Sequence, residues 1–410
     1  MDPSAPETTG DQKVKRSPLF VILLTVFINL VGFGIIIPLI PFYAQDFGAS
    51  KFEVGLLFAS YSLMQFLFAP LWGRISDRIG RRPILLISLF GTSLSFVVFG
   101  LANSLLVLFI GRIMAGFFGA VISTAHAFIA DVTEPQDRAH GMGLVGAAFG
   151  LGFIFGPFIG GVMADLWGYA APAYFAAALA LVNMILAWFV LPESYPASAR
   201  KKRDPADSGL GTSLRKLREA LVRPYVGGIL LIYFIVSFAM ANMETTYALL
   251  TEELWGWGAK ENGLIFGYIG LMIVFTQGFA IRPLARRFGE ERLVIAGSIL
   301  LIPSLGLMPF SPGLAVLMIL SGVMAIGSGI NTPSLNSLIS RSVSPEEQGG
   351  IMGITQSLGG LARVIGPIWG GFTFSLIGHS APYWTAAILM GGACLLAVQV
   401  FRKRSPPPPS

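Results

Sequence analysis

The chain alternates between long apolar runs and short polar punctuation. Twelve runs can be marked, at about 18–44, 52–73, 83–103, 105–129, 141–164, 171–191, 225–250, 262–283, 293–311, 314–338, 349–377 and 380–401. Each supplies roughly the 20 residues needed to cross about 30 Å of hydrocarbon. They are continuous, whereas a membrane barrel strand alternates over about ten residues, so they predict helices. Residues 18–191 and 225–401 therefore read as two six-helix bundles. The linker between them, 192–224, carries Arg200-Lys201-Lys202-Arg203 and a candidate amphipathic helix over Ser213–Leu221. Residues 1–17 and, within the C-tail 402–410, Pro406–Pro409 read as disordered, and the first run is too long for the core of a signal peptide.

The two bundles are copies of one another. Gly143-x8-Gly152-x3-Gly156-Pro157-x2-Gly160-Gly161 returns as Gly353-x8-Ala362-x3-Gly366-Pro367-x2-Gly370-Gly371. Upstream, Gly55-Leu56 and Phe58 answer Gly263-Leu264 and Phe266, and Arg78-x-Gly80 answers Arg287-x-Gly289. A repeat this long is no soluble solenoid unit. Duplicated bundles facing each other in a bilayer can form one central site and expose it to either side by moving against each other.

Composition agrees with that class, with 54% hydrophobic residues against 12% charged. With both termini on the same side, every lysine and arginine falls on that side except Lys51, Lys260, Arg112 and Arg363. Cytoplasmic loops retain such residues, so both termini are expected in the cytoplasm of a multi-pass plasma (cell inner) membrane protein. The net charge of +6 is thus a topology signal, spread over helix ends, and no nucleic-acid partner is expected. One cysteine, Cys394, excludes an internal disulfide or zinc cluster, and no metal or cofactor motif appears.

The densest polar motif lies between the second and third runs: Gly73-Arg74-Ile75-Ser76-Asp77-Arg78-Ile79-Gly80-Arg81-Arg82-Pro83. It reads as a very short charged turn. Gly73 permits close approach by another helix, and Asp77 can accept from the exposed N–H groups of a neighbouring helix start. A simple topological anchor would also explain the charges. The corresponding turn of the second half has Arg282, Arg286, Arg287, Glu290 and Glu291 in place of Gly73, Asp77, Arg78, Arg81 and Arg82, so the feature is asymmetric.

The pattern Gly-x-x-x-Asp-Arg-x-Gly-Arg-Arg resembles the signature loop of the major facilitator superfamily, and the resemblance runs from the first to the last helix. Helix 5, with Gly143, Gly152, Gly156, Pro157, Gly160 and Gly161, resembles the antiporter motif of the twelve-span drug:proton antiporters, which include tetracycline and multidrug exporters. Leu108-x-x-x-Arg112-x-x-Ala115-Gly116-x-x-Gly119-Ala120 is similar to the family's arginine motif, with Ala115 where glutamine is usual. Asn29-x-x-Gly32-x-Gly34-Ile35-x-x-Pro38-x-x-Pro41 is similar to the drug-exporter motif, with Asn29 where aspartate is usual. The resemblance implies that Asp77 docks on the start of helix 11 near Gly350 to Met352, that Arg81 pairs with Asp131, and that together they latch the outward-open state. It also implies a cavity lined by helices 1, 4, 7 and 10, with contributions from 2, 5, 8 and 11.

Arg112 and Arg363 lie inside apolar runs. An arginine at the bilayer centre costs about 2.5–3.5 kcal/mol on insertion scales, so each is expected to face the cavity or a partner. On the matched motif Arg112 would orient a proton-carrying group; Arg363 could hold an anionic substrate group or form a structural pair. Proton coupling calls for an acid in a dry site. Asn29 cannot titrate, and Glu244 is the one carboxylate plausibly inside a run, where it serves coupling or sits at the outer interface. His126 could titrate or simply pack. Asn29, Gln65, Asn242, Gln277, Asn331, Asn336 and Gln356 are candidate polar contacts.

The sequence thus describes an all-α membrane protein of twelve transmembrane helices. It is expected to be a monomeric secondary transporter that exports lipophilic or amphipathic molecules by proton antiport. Uncoupled or differently coupled efflux or uniport of a metabolite is the alternative. A receptor or enzyme is disfavoured, because no nucleophile, nucleotide loop or metal cluster appears.

Overall fold

The computed structural model describes residues 18–119, 121–133, 138–195, 218–344 and 347–402. The expected disordered ends, most of the linker and part of its amphipathic helix lie outside these residues, as does Ala120. Among the described residues, twelve long helices make up the bundle: α1 (Pro18–Asp46), α2 (Lys51–Ile79), α3 (Arg81–Gly100), α4 (Leu105–Val132), α5 (Arg138–Trp167), α6 (Ala170–Val190), α7 (Pro224–Trp255), α8 (Ala259–Phe288), α9 (Glu290–Phe310), α10 (Leu314–Arg341), α11 (Gln348–Leu376) and α12 (Ala381–Arg402). Among the described residues, eleven are both long and apolar enough to cross a membrane. The twelfth, α11, has the length but carries Gln348, Gln356, Arg363 and eight glycines, because much of its surface faces other helices.

Two features depart from the sequence reading. The charged stretch read as a turn is mostly helix: α2 continues through Asp77 and Arg78 to Ile79, and α3 begins at Arg81. Gly80 alone makes the reversal, at φ +111°, and Gly289 makes the matching one between α8 and α9 at φ +80°. Side chains rarely adopt that backbone region, which explains why Arg-x-Gly recurs at both joints. The second departure is a π-helical turn at Thr276–Ala280 in α8, which the apolar pattern gave no sign of.

The glycine repeat lies where backbones meet. In the first half, a Cβ added to Gly156 would sit 2.7 Å from Gly34 Cα, and one on Gly160 would strike the Ile35 carbonyl, so this row seats α5 on α1. Gly161 instead faces the other half, where an added Cβ would lie 2.5 Å from Ala259 O of α8. In the second half, Gly366 and Gly370 abut α7 at Ala241 and Asn242, while Gly371 meets Lys51 O of α2 at 2.7 Å. Each copy of the motif therefore builds one contact within its half and one across the halves.

Overpacking such a contact costs about 1–3 kcal/mol. Gly160→Val is accordingly expected to lower the thermal midpoint of the purified protein, whereas Gly391→Val, in open space on α12, should leave it unchanged. Equal midpoints for the two variants would contradict this packing.

Candidate functional site

The two ends of the bundle differ. At the end bearing Lys51 and Lys260, the halves are sealed by α2 against α11 and α5 against α8, through the glycine contacts above. Two polar clasps cross the seam there. Lys51 Nζ lies 3.5 Å from Glu252 Oε2 and donates to Gln45 Oε1 at 2.7 Å, while Gln45 Nε2 donates to Glu252 at 2.7 Å. On the other side Lys260 Nζ reaches Asp165 Oδ2 at 2.8 Å. The first clasp is half-buried and the second exposed, and solvent screens such contacts, so apposed backbones supply most of the closure and the clasps fix its register. The two lysines that broke the charge rule both serve this seam.

At the opposite, basic end the halves stand apart. Cβ atoms added at Gly73, Gly146, Gly278, Gly349, Gly350 or Gly353 meet nothing within 4 Å. The cavity is therefore closed at the lysine end and open at the basic end.

Three charged groups meet below the closed seam. Counting 1.5 Å per residue from Lys51, Glu252 and Gly371, which mark the seam, Tyr61 lies about 15 Å inside, and Glu244 and Arg363 about 12 Å inside. Arg112 joins them: it is 3% exposed, and its guanidinium carbon stands 4.5 Å over the Tyr61 ring. Its Nε is buried without a hydrogen-bond partner. Glu244, with Ser237 and Met240, forms a partly exposed stripe along the middle of α7. Both guanidiniums act electrostatically on Glu244 and on Tyr61.

Arg363 is located by its neighbours on α11. Gly360 packs on Phe66 of α2, and Gly359 and Gly366 pack on Tyr233 and Ala241 of α7. Arg363 and Gln356 fall between those two rows, opposite the lipid-facing Leu361, Ile365 and Phe372, and both are exposed to the cavity. Among the described residues neither arginine forms an ion pair within 4.0 Å. Asn29, Phe33, Tyr61, Gln65 and Arg112 line a crevice in the first half whose free volume is about 20 Å³, room for about one water.

At the basic end Arg81 is 8% exposed and heavily bonded. It reaches Asp131 at 3.2 Å, Asp77 at 2.5 Å and Ser76 at 2.7 Å, and it lies 5.0 Å over the Tyr195 ring. Its backbone N–H donates to Glu193 at 2.9 Å, and Ser194 donates to Asp131 at 3.1 Å. Arg82 donates to the Trp188 carbonyl, whereas Arg78 is exposed. The segment after α6, Glu193-Ser194-Tyr195, is thus part of this cluster, although no spacing in the sequence tied it there. Asp77 is engaged by Arg81 of its own half, and the glycines at the start of α11 face open space. Nearby, Arg223 holds Glu347 at 2.8 and 3.0 Å, bonds that keep the Glu347 carboxyl below its usual range. Its pairing is therefore present above the ordinary carboxylate range and lost as pH falls through the lowered value.

Other expected cavity residues are elsewhere. Asn331 is fully buried against α9, where its amide, suitably oriented, donates to Val294 O at 3.0 Å and accepts from Ser298 N–H at 3.1 Å. Asn242 donates to Pro382 O of α12 at 2.7 Å. Both amides tie helices together rather than line the cavity. Gly152 extends the α5 row, where an added Cβ would lie 2.7 Å from Leu30 Cβ, and Gly143 lies in the opening turns of the same helix.

Comparison with known proteins fits this architecture. The family model described as Major Facilitator Superfamily matches residues 22–311 and 229–410. The class C tetracycline resistance protein of Escherichia coli is 32% identical over 394 residues, covering 93% of this chain and 95% of that protein. Multidrug resistance protein 2 of Bacillus subtilis (strain 168) is 28% identical, covering 92% and 93%. Among solved structures, the human organic anion transporter MFSD10 (TETRAN) superposes with a TM-score of 0.72 at 28% identity, over 94% of this chain and 100% of that one. A bacterial homolog of the human lysosomal transporter Spinster, in an inward-facing and occupied conformation, gives 0.76 at 16% identity over 94% and 96%, a likeness of fold alone.

Proposed function

Because the chain belongs to the major facilitator superfamily, we propose that it exports lipophilic or amphipathic small molecules in exchange for protons, by rocking two six-helix halves about the cavity between them. The basic end is cytoplasmic, both termini lie there, and the protein works as a monomer in the plasma membrane. On this reading the cavity, open at the basic end, is the inward-open stage of the cycle. Glu244 carries the reading: it is the one carboxylate among the described residues that lies at mid-depth, it faces the cavity, and two arginines act on it. An exchangeable proton at this point would change the charge of the site on each passage. The relatives named for tetracycline and multidrug resistance support a drug-like cargo.

The test is accumulation of tetracycline and a fluorescent dye in cells expressing the chain, with external pH varied and a protonophore added. Export that collapses with the protonophore supports the reading. Export indifferent to both would favour an uncoupled carrier, the alternative that Asn29 and its non-titrating amide keep in view.

Gly73, Asp77, Arg78, Gly80, Arg81, Arg82 and Asp131 form the cytoplasmic latch in this scheme. On opening outward, Asp77 would swing onto the N-terminal end of α11, an anion at a helix start. The contact is expected to bias the outward-open state by about tenfold, or about 1.4 kcal/mol. Asp77→Asn should therefore slow export while insertion stays normal; unimpaired export would remove the latch from the scheme.

A further inference from the structure

The mid-depth site is unbalanced. Arg112 and Arg363 bring two positive charges, Glu244 brings one negative charge, and no other charged side chain of the described residues lies at this level. Surplus charge sealed from water is costly, so closure at both ends calls for a counter-charge. Arg112 offers Nε, buried and without a hydrogen-bond partner, and Arg363 offers a guanidinium open to the cavity. An aromatic run leads away from them toward the open end. Tyr61, Phe33, Phe153 and Phe149 follow one another at centroid spacings of 5.1, 6.2 and 4.8 Å.

We infer that the cavity takes amphipathic monoanions, with a carboxylate or sulfonate held between Arg112 and Arg363 and an apolar body lying along the Tyr61–Phe149 aromatic run. One bound oxyanion and ionised Glu244 give each guanidinium one counter-charge, so the loaded site can close neutral. Arginine suits the task because its planar fork presents paired donors to an oxyanion. A cation of the same shape would add to the surplus, and a neutral molecule would leave it uncancelled. The inference rests on the exporter reading only in using the same cavity, and it makes no use of proton coupling.

The test compares pyrenebutyrate, its methyl ester and pyrenebutylamine, three probes sharing one aromatic body. Binding is measured on the full chain in lipid nanodiscs, and movement in vesicles with an imposed pH gradient. Wild type is expected to bind the acid at least about tenfold more tightly than the ester or the amine. Arg363→Gln should erase most of that preference while still binding the ester, which shows the fold intact, and Arg363→Lys should keep part of it. Equal binding of the three probes by wild type, or a preference that survives both Arg363→Gln and Arg112→Gln, overturns the inference. Acid-selective binding without proton-driven movement would instead refute the exporter reading and leave the anion site standing. Proton-driven export of the amine without preference for the acid would do the reverse.

Discussion

Glu244→Gln is expected to reduce gradient-driven export to the level seen without a pH gradient, while exchange of labelled for unlabelled substrate across the same membrane continues. Glutamine matches glutamate in size and hydrogen-bonding reach but cannot gain or lose a proton in this range. The glycine seams and the clasps at Lys51 and Lys260 involve other atoms, so the substitution leaves the closing surfaces in place and removes the acid to which coupling is assigned. The comparison separates two faults: a misfolded carrier loses both activities, an uncoupled one loses only the first. The measurement uses inside-out vesicles at equal internal and external pH and then with a proton gradient imposed. If the variant accumulates substrate as steeply as wild type, coupling runs through some other group.

The surroundings of Glu244 show why its role was only half legible. Apolar runs give the number of helices, and the glycine repeat gives their pairing, because a segment must be long enough to cross and small enough to touch. Neither gives the rotation of a helix about its axis. In a soluble bundle one face is polar and the phase is visible; here lipid and neighbouring helices both ask for apolar side chains, so the period fades. Glu244 could thus be read as an interfacial residue, although the structure turns it toward the cavity about 12 Å inside the seam.

The amides divide for the same reason. Asn331 and Gln356 are equivalent as letters within apolar runs, yet one is sealed against α9 and the other faces the cavity. Glu193, Ser194 and Tyr195 were missed because their partners, Arg81 and Asp131, are distant in the chain and join them only through the stacking of α3, α4 and α6. Gly80 and Gly289, by contrast, were visible as a repeat, since positive φ leaves a residue-type signature.

Lys51 and Lys260 were first visible only as exceptions to a charge rule, yet they sit in the opening turns of α2 and α8, each facing an acid of the other half. If the halves must part here for cargo to leave, fixing the seam must stop the cycle. In a Cys394→Ala background, Asp165→Cys with Lys260→Cys, joined by a short bismaleimide, is therefore expected to abolish export completely. Each single variant should lose little, since the Asp165–Lys260 pair is exposed to solvent and screened by it. A cleavable linker supplies the control, because export should return once it is cut. Binding of substrate from the basic end should survive the cross-link, as that entrance lies at Gly73, Gly146 and Gly350 and is untouched. Undiminished export by the cross-linked protein would mean that the seam between α5 and α8 does not open, and a rocking mechanism would no longer describe this molecule.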